Sequence, residues 1–500
     1  MNNKPVVTLI EASMANERLC ASAARISTIQ GNALDIYERP ADGQKDRKLV
    51  EKVLLSGHRS LIEHAKFTFA FSDVSVLTEQ FFIEFRLASY TIKSRRYVDF
   101  SKSGYYTPPG LDEESAVIFR NHMDYLFAEY KAFVDSGIPL EDARFVLPYC
   151  FCSNFYCSVN GRELIYMLRT IKYGRGKNIS ELGEIYRQIT AQIESVLPNI
   201  IKEITPLNGD SGREIACRFD NIPSSASGVK GDCDLISYTQ DAGKVIGLAQ
   251  TLLETGRGWN TDTTHNGQTL TGYGVKPVGD GTPTLRTFVD ETHSASGMDG
   301  TENVLDGDSD ALVPVQGDSA TFELLSPRVI ENTSATFMIR NISLSAITHF
   351  ARHRILTLVI PPFQRVNLDS YVMPESIMEN AGIWDRYKRV FEANIRVIKE
   401  LRDRGFPNEL YLCLSGNTLN ILTTMNAREY KLFFNLRCCN RAQWEVRSIA
   451  SDMLRSLRAV QPEIYNQMGP SCYPGGVCPE GKLSCGQSKS VNEMYKALLL

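Results

Sequence analysis

Two short runs of residues carry most of the chemistry this chain could perform. In the first, SYTIKSRRY, Ser94, Arg95 and Arg96 precede Tyr97. A hydroxyl beside two guanidiniums suits a phosphate group, because arginine offers a planar, two-pronged fork to phosphate oxygens. A solvated basic turn fits the same residue types, and the types alone do not choose. In the second run, ARHRIL, Arg352, His353 and Arg354 are consecutive and flanked by apolar residues. Polar groups entering a hydrophobic region need partners. An anionic or aromatic cofactor would supply them, and a network of arginine–glutamate ion pairs would do so equally.

The cysteines divide by setting. Cys150, Cys152 and Cys157 lie in the aromatic stretch YCFCSNFYCS and read as buried core thiols. Cys472, Cys478 and Cys485 lie in GPSCYPGGVCPEGKLSCGQ, a Gly/Pro-rich loop without periodicity. Zinc sites take four ligands. Three thiols at non-standard spacings, with no histidine nearby in sequence, point to a structural loop and to no metal. No cysteine sits in an activated nucleophile motif.

Read with their flanks, the two polar runs resemble the flavin-dependent thymidylate synthase family. Its pattern is a GHxSxxEH element, RHR with SxRY, ExARxxLP, N-x-R on a helix, an arginine, and AQWE. Here SGHRSLIEH at 56–64, FRLASYTIKSRRY at 85–97, EDARFVLP at 141–148 and SVNGRELI at 158–165 match in order. A second set follows: ARHRILT at 351–357, MNAREY at 425–430, NLR ending at Arg437, and RAQWEVR at 441–447. The two sets have lost complementary parts. The first reads Glu84-Phe85-Arg86 where the family has RHR, yet keeps Ser94, Arg96, Tyr97 and Arg144. The second keeps Arg352, His353, Arg354, Asn426, Arg428 and Arg437, but its phosphate loop, VIPPFQRV, has no serine. Its GHxSxxEH element shrinks to SPRVIEN, retaining Glu331.

The resemblance implies an α+β fold in two pseudo-symmetric copies, each an antiparallel sheet with helices. It implies a flavoenzyme that converts dUMP to dTMP with FAD, using methylenetetrahydrofolate and NADPH as co-substrates. By the same resemblance, Ser94, Arg95, Arg96, Arg144 and Arg437 bind dUMP, and Arg437, Arg144 and His58 act in catalysis. His58, Ser60, Glu63, Arg86, Arg352, His353, Arg354, Asn426 and Arg428 hold the flavin and folate. Family members are homotetramers with sites at subunit interfaces, so a fused pair implies a homodimer acting as a pseudo-tetramer. Two other readings stay open: a flavoenzyme alkylating C5 of another pyrimidine nucleotide, and an inactive flavin- or nucleotide-binding regulator.

The elements that must position these residues recur along the chain. Residues 11–30 have helical apolar spacing, residues 48–57 form a helix stopping at Gly57, and FTFAFSDVSV at 67–76 alternates as a strand does. Residues 77–98 begin helix-like and pass into the polar run. A long helix at about 112–136 ends at Gly137 with Pro139 beyond. FMIRNISLSAITHFARHR repeats the strand-to-helix step, and WDRYKRVFEANIRVIKELRDRGFP repeats the long helix. Such a repeat indicates duplication. The expected division is 1–205 and 206–500, with a polar insertion at 257–320 and the cysteine-containing tail at 470–490.

Composition narrows the partners. At 500 residues, two domains of about 200 residues each are the natural expectation. A net charge of -4 gives no electrostatic reason to expect nucleic acid or an anionic membrane. The opening MNNKPVVTLIEAS is too soon interrupted for a signal peptide, and no apolar run of about 18 residues occurs. The chain reads as cytosolic.

Overall fold

The computed structural model describes residues 4–13, 16–40, 42–205, 232–255, 264–265, 268–269 and 327–497. Two compact units emerge: Met1–Asp234 with Met338–Thr423, and Leu235–Phe337 with Thr424–Leu500. The first unit therefore holds the whole first repeat together with the middle of the second.

Its sheet is antiparallel, with β1 (Val6–Ala12), β2 (Lys66–Ser75), β3 (Ala88–Ile92) and β4 (Cys152–Asn160) in the order β1-β2-β4-β3. The alternation of KFTFAFSDVS explains β2. Phe67, Phe69 and Phe71 are 2% exposed or less and enter the core, while Lys66 and Thr68 do not. Burying each such ring contributes about 1.5–3 kcal/mol before entropy is counted. The core beneath is completed by Leu182, Ile185, Ile189 and Ile193 of the helix Ser180–Glu194. The helix Glu113–Asp135 starts where Asp112 accepts the Ser115 N–H at 2.7 Å and stops before Gly137, whose φ is +85°.

The second sheet contains β5 (Cys233–Tyr238), β8 (Ser334–Ser343), β9 (Thr357–Val359), β10 (Asn367–Tyr371) and β11 (Asn417–Asn426). Its order is β10-β11-β8-β5, with β9 paired to β11. The boundary between the compact units falls within β5, β8 and β11. A two-residue hairpin, β6 (Thr264–His265) with β7 (Gln268–Thr269), is all of the 257–320 insertion that lies inside the described residues.

The repeat expected from the sequence is present element by element. The ten-residue β2 is followed by an eight-residue helix, Val76–Ile83, and the ten-residue β8 by the eight-residue helix Leu344–Ala351. The 23-residue helix Glu113–Asp135 has its counterpart in the 23-residue Ala381–Asp403. Strand β4 leads into Gly161–Lys172 as β11 leads into Ala427–Arg437. The α+β class with antiparallel sheets is thus observed.

Two expectations need correction. Glu11 and Ala12 close strand β1, so the helix expected over 11–30 is confined to Asn16–Ile26. The polar run before Ser94 contains strand β3. No helix among the described residues is long and apolar enough to cross a membrane.

Candidate functional site

A shared backbone device places both polar runs. Asp73 and Asn341, each the eighth residue of its strand, have φ of 54° and 50°. Asp and Asn tolerate this left-handed conformation better than most residues. Each N–H is received by an asparagine side chain, Asn154 at 3.2 Å and Asn420 at 3.0 Å. The bend turns the chain into a serine cap: Ser75 accepts the Thr78 N–H and Ser343 the Ala346 N–H, both at 3.1 Å. The two helices then end at equivalent residues, Glu84 and Arg352.

At that point the repeats diverge. In the first, Glu84 accepts from Gln80 at 2.9 Å and pairs with Arg175 at 2.5 Å. Phe85 is buried, with ring centres 5.3 Å from Phe81 and 5.5 Å from Tyr166. An aromatic cluster fills the place that Arg-His would occupy. In the second repeat the polar residues remain. Arg352 donates to the Thr348 carbonyl at 3.2 Å and to Nδ1 of His349 at 3.1 Å; neither partner is a carboxylate. His353 is 5% exposed. Arg354 donates to the Ser89 hydroxyl, and Arg86, its equivalent, donates to the Leu356 carbonyl, so this pair ties the repeats together reciprocally within the first unit.

The first unit also brings the phosphate-type run to Arg352. Arg95 pairs at 2.7 Å with Glu79, whose side chain is fully buried and also accepts from the Ser153 hydroxyl. Arg96 pairs with Glu141, and the Arg144 Nε donates to the Glu141 carbonyl at 3.0 Å. The Ser94 hydroxyl accepts the Arg96 N–H at 3.3 Å. Arg352 retains solvent-accessible surface, yet surrounding protein lowers its pKa. Arg95 lowers it further, Glu79 opposes the shift, and Arg96 adds to it.

The remaining expected residues are dispersed. His58, Ser60 and Glu63 lie on or beside the short helix Ser60–His64. Ser60 and His64 line a cavity of about 340 Å³ with Leu19, Ile26 and Tyr37, so His64 is not a core residue. Glu63 pairs with Arg162 at 2.5 Å, and in the second unit Glu331 pairs with the equivalent Arg428. Asn426 accepts the Glu429 N–H at 2.8 Å as a helix cap, as Asn160 accepts that of Glu163 at 2.9 Å. Arg437 sits in the last turn of Ala427–Arg437, where the helix dipole favours a cation.

A profile of the family described as "Thymidylate synthase complementing protein" matches residues 8–199 and 321–463, more than half of the chain. The chain belongs to this family. The two matched segments are those of a tandem fusion. A flavin-dependent thymidylate synthase of Geobacter sulfurreducens is 34% identical over 176 residues, covering 34% of this chain and 75% of that protein. One of Clostridium tetani is 32% identical over 186 residues, covering 33% and 74%. Among solved structures, the UMP/dUMP methylase PolB of Streptomyces cacaoi, bound with 5-Br dUMP, aligns over 40% of this chain and 95% of its own. That alignment has 23% identity and a TM-score of 0.35.

Sequence reasoning missed Glu79 and Glu141, the acids that orient Arg95 and Arg96. Their signals were present. Glu79 is the one charged residue in the helix VLTEQFFI, and Glu141 opens the EDAR element.

Proposed function

We propose that this chain is a flavin-dependent thymidylate synthase that methylates dUMP at C5, using FAD, methylenetetrahydrofolate and NADPH, in the cytosol. The observation that carries the reading is Arg352, from the flavin-type motif of one repeat, within electrostatic reach of Arg95 and Arg96 from the phosphate-type motif of the other. The donor set fits anionic ligands. Arg95, Arg96, Arg144 and Arg352 are donors of the kind a phosphate takes, with Arg95 oriented by Glu79 and Arg96 by Glu141.

In this reading Ser94, Arg96 and Arg144 hold the dUMP phosphate, with Arg95 locking the loop through Glu79. Arg437 stabilises negative charge as it develops on the uracil ring, the task of a preorganised cationic donor. Arg352 and His353 hold the flavin. His58, Ser60, Glu63, Asn426 and Arg428 complete the flavin and folate contacts, while Arg86 and Arg354 brace the walls. The flavin supplies the reducing chemistry when bound. No thiol nucleophile is needed, and burial pushes Cys157, Cys413 and Cys438 up to about 12, far from a reactive thiolate. The aromatic filling around Phe85 supports one flavin per chain. The fused chain then dimerises to replace a homotetramer.

The protein should purify yellow and bleach with NADPH. Arg352→Ala and His353→Ala should each lower flavin content at least tenfold, read by absorbance. Full occupancy in both variants would defeat the assignment of the flavin to this motif.

A further inference from the structure

The second unit contains five cysteines that the proposed reaction does not use, Cys438 in the core and four others near the tail. Cys439 follows the helix Ala427–Arg437, and the structure brings it to the tail bearing Cys472, Cys478 and Cys485. All four line one cavity of about 20 Å³, together with Pro470, Leu483 and Val491. A void of this size holds about one water-sized sphere, which excludes a nucleotide, a sugar or any organic cofactor. Its lining also includes the polar Asn440, Arg441, Ser471 and Glu480.

The surrounding bonds hold the cysteine-bearing segments in register. The Arg441 N–H points to the Cys439 sulfur at 3.4 Å, a donor two residues on from the thiol it serves. Arg441 also reaches the Ser484 carbonyl at 3.2 Å, Asn440 bonds Gln487 at 2.7 Å, and Asn492 donates to the Cys472 carbonyl at 2.7 Å. Between Tyr465 and Ser488 the chain has only turns, bends and one short 3-10 helix. Leu483 and Val477 are 67% and 78% exposed, so this stretch has little apolar core of its own. Small loop-rich segments of this kind are commonly stapled by metal or disulfide. None of the described cysteines is disulfide-bonded.

We propose that Cys439, Cys472, Cys478 and Cys485 form a structural zinc site closing the C-terminal tail. The expectation of no metal rested on three thiols lacking a fourth ligand; Cys439 is that ligand, invisible in sequence because it lies 33 positions before Cys472. Among the described residues no group of three or more His, Cys, Asp and Glu side chains is placed to hold a metal ion as the chain stands. The loops therefore close on the ion, bringing each sulfur to the ~2.3 Å typical of zinc. Binding replaces the four thiol protons, which pass to solvent. Arg441 offsets part of the charge of a four-thiolate shell.

The test uses the full chain purified without chelator. Elemental analysis should find about one zinc per chain. Cys439→Ser and Cys485→Ser should each release it at least tenfold more readily to a zinc chelator, while Cys233→Ser should not. Should the serine variants fail to fold, Co²⁺ exchanged into the parent protein decides instead. Thiolate-to-cobalt charge-transfer bands with tetrahedral d–d bands are expected. Zinc below a tenth per chain, disulfides among these four cysteines on non-reducing mass spectrometry, or Co²⁺ bound without thiolate bands would overturn the site.

Discussion

Arg95 and Arg96 are adjacent in sequence, yet the structure gives them different work, and the difference can be measured. The Arg95 side chain is 10% exposed and Glu79 is fully buried, joined at 2.7 Å. Replacing Arg95 by methionine keeps the volume and strips Glu79 of its charge partner, leaving it the Ser153 hydroxyl. Breaking one side of a buried pair costs about 3–5 kcal/mol, because an uncompensated charge stays behind. Removing both charges in Arg95→Met/Glu79→Gln should recover at least half of that loss, since the pair's net worth is small. Arg96 and Glu141 are 20% and 22% exposed, so Arg96→Ala should cost stability only about 1 kcal/mol. That variant should instead weaken dUMP binding by roughly 1.5–3 kcal/mol, the scale of a charge-assisted hydrogen bond. Urea unfolding, compared as shifts of one transition, gives the first quantity, and calorimetric titration the second. A stable Arg95→Met protein that no longer binds dUMP would reverse the assignment of the two arginines.

Three further outcomes follow from particular contacts. Glu181 is buried, accepts from Ser75 N–H at 2.7 Å and Thr78 hydroxyl at 2.8 Å, and burial lifts it to about 7 against an ordinary 4.5. The folded chain thus keeps a proton that the unfolded chain releases, so this group's contribution falls by about 3 kcal/mol as pH rises from about 4.5 to 7. Glu181→Gln should remove that slope from the unfolding profile; an unchanged slope would show that Glu181 does not titrate there. Glu84→Arg/Phe85→His should not create a second flavin site, because it breaks the Arg175 pair and opens the aromatic cluster, and thermal unfolding should drop clearly; two flavins per chain would refute this. Titration with dUMP should give one nucleotide per chain, with Arg96→Ala and Arg437→Ala lowering affinity at unchanged stoichiometry, whereas halved stoichiometry at parental affinity would indicate two independent sites.

The legible parts of the fold were those with clean periodicity. Strand β2 alternates aromatic and polar residues, and the helix Glu113–Asp135 carries both its Asp cap and its Gly stop. Of the strands not read from the sequence, β1 and β3 are the two edges of their sheet and β4 lies inside it. Edge strands bury less, and in β1 both Val6 and Ile10 are about half exposed, at 49% and 53%, which blurs the alternation. In the site, arginines announced themselves by type, but which carboxylate each meets depends on folding. Glu79 lies 16 residues before Arg95, and Arg352 reaches the same locus from 257 residues further on. The loss of RHR in the first repeat was readable; its replacement by packed aromatic rings was not.

The central claim is tested most directly by following the pyrimidine product. The purified chain, supplied with dUMP, methylenetetrahydrofolate, FAD and NADPH, should form dTMP detectable by mass spectrometry, with the folate's one-carbon label recovered in the new C5 methyl group. Arg437→Ala and Arg144→Ala should each lose at least a hundredfold in rate. Unlabelled dUMP recovered intact from a flavin-loaded, NADPH-reducible protein would contradict the account, and methylation of a different pyrimidine nucleotide would move the chain to another substrate.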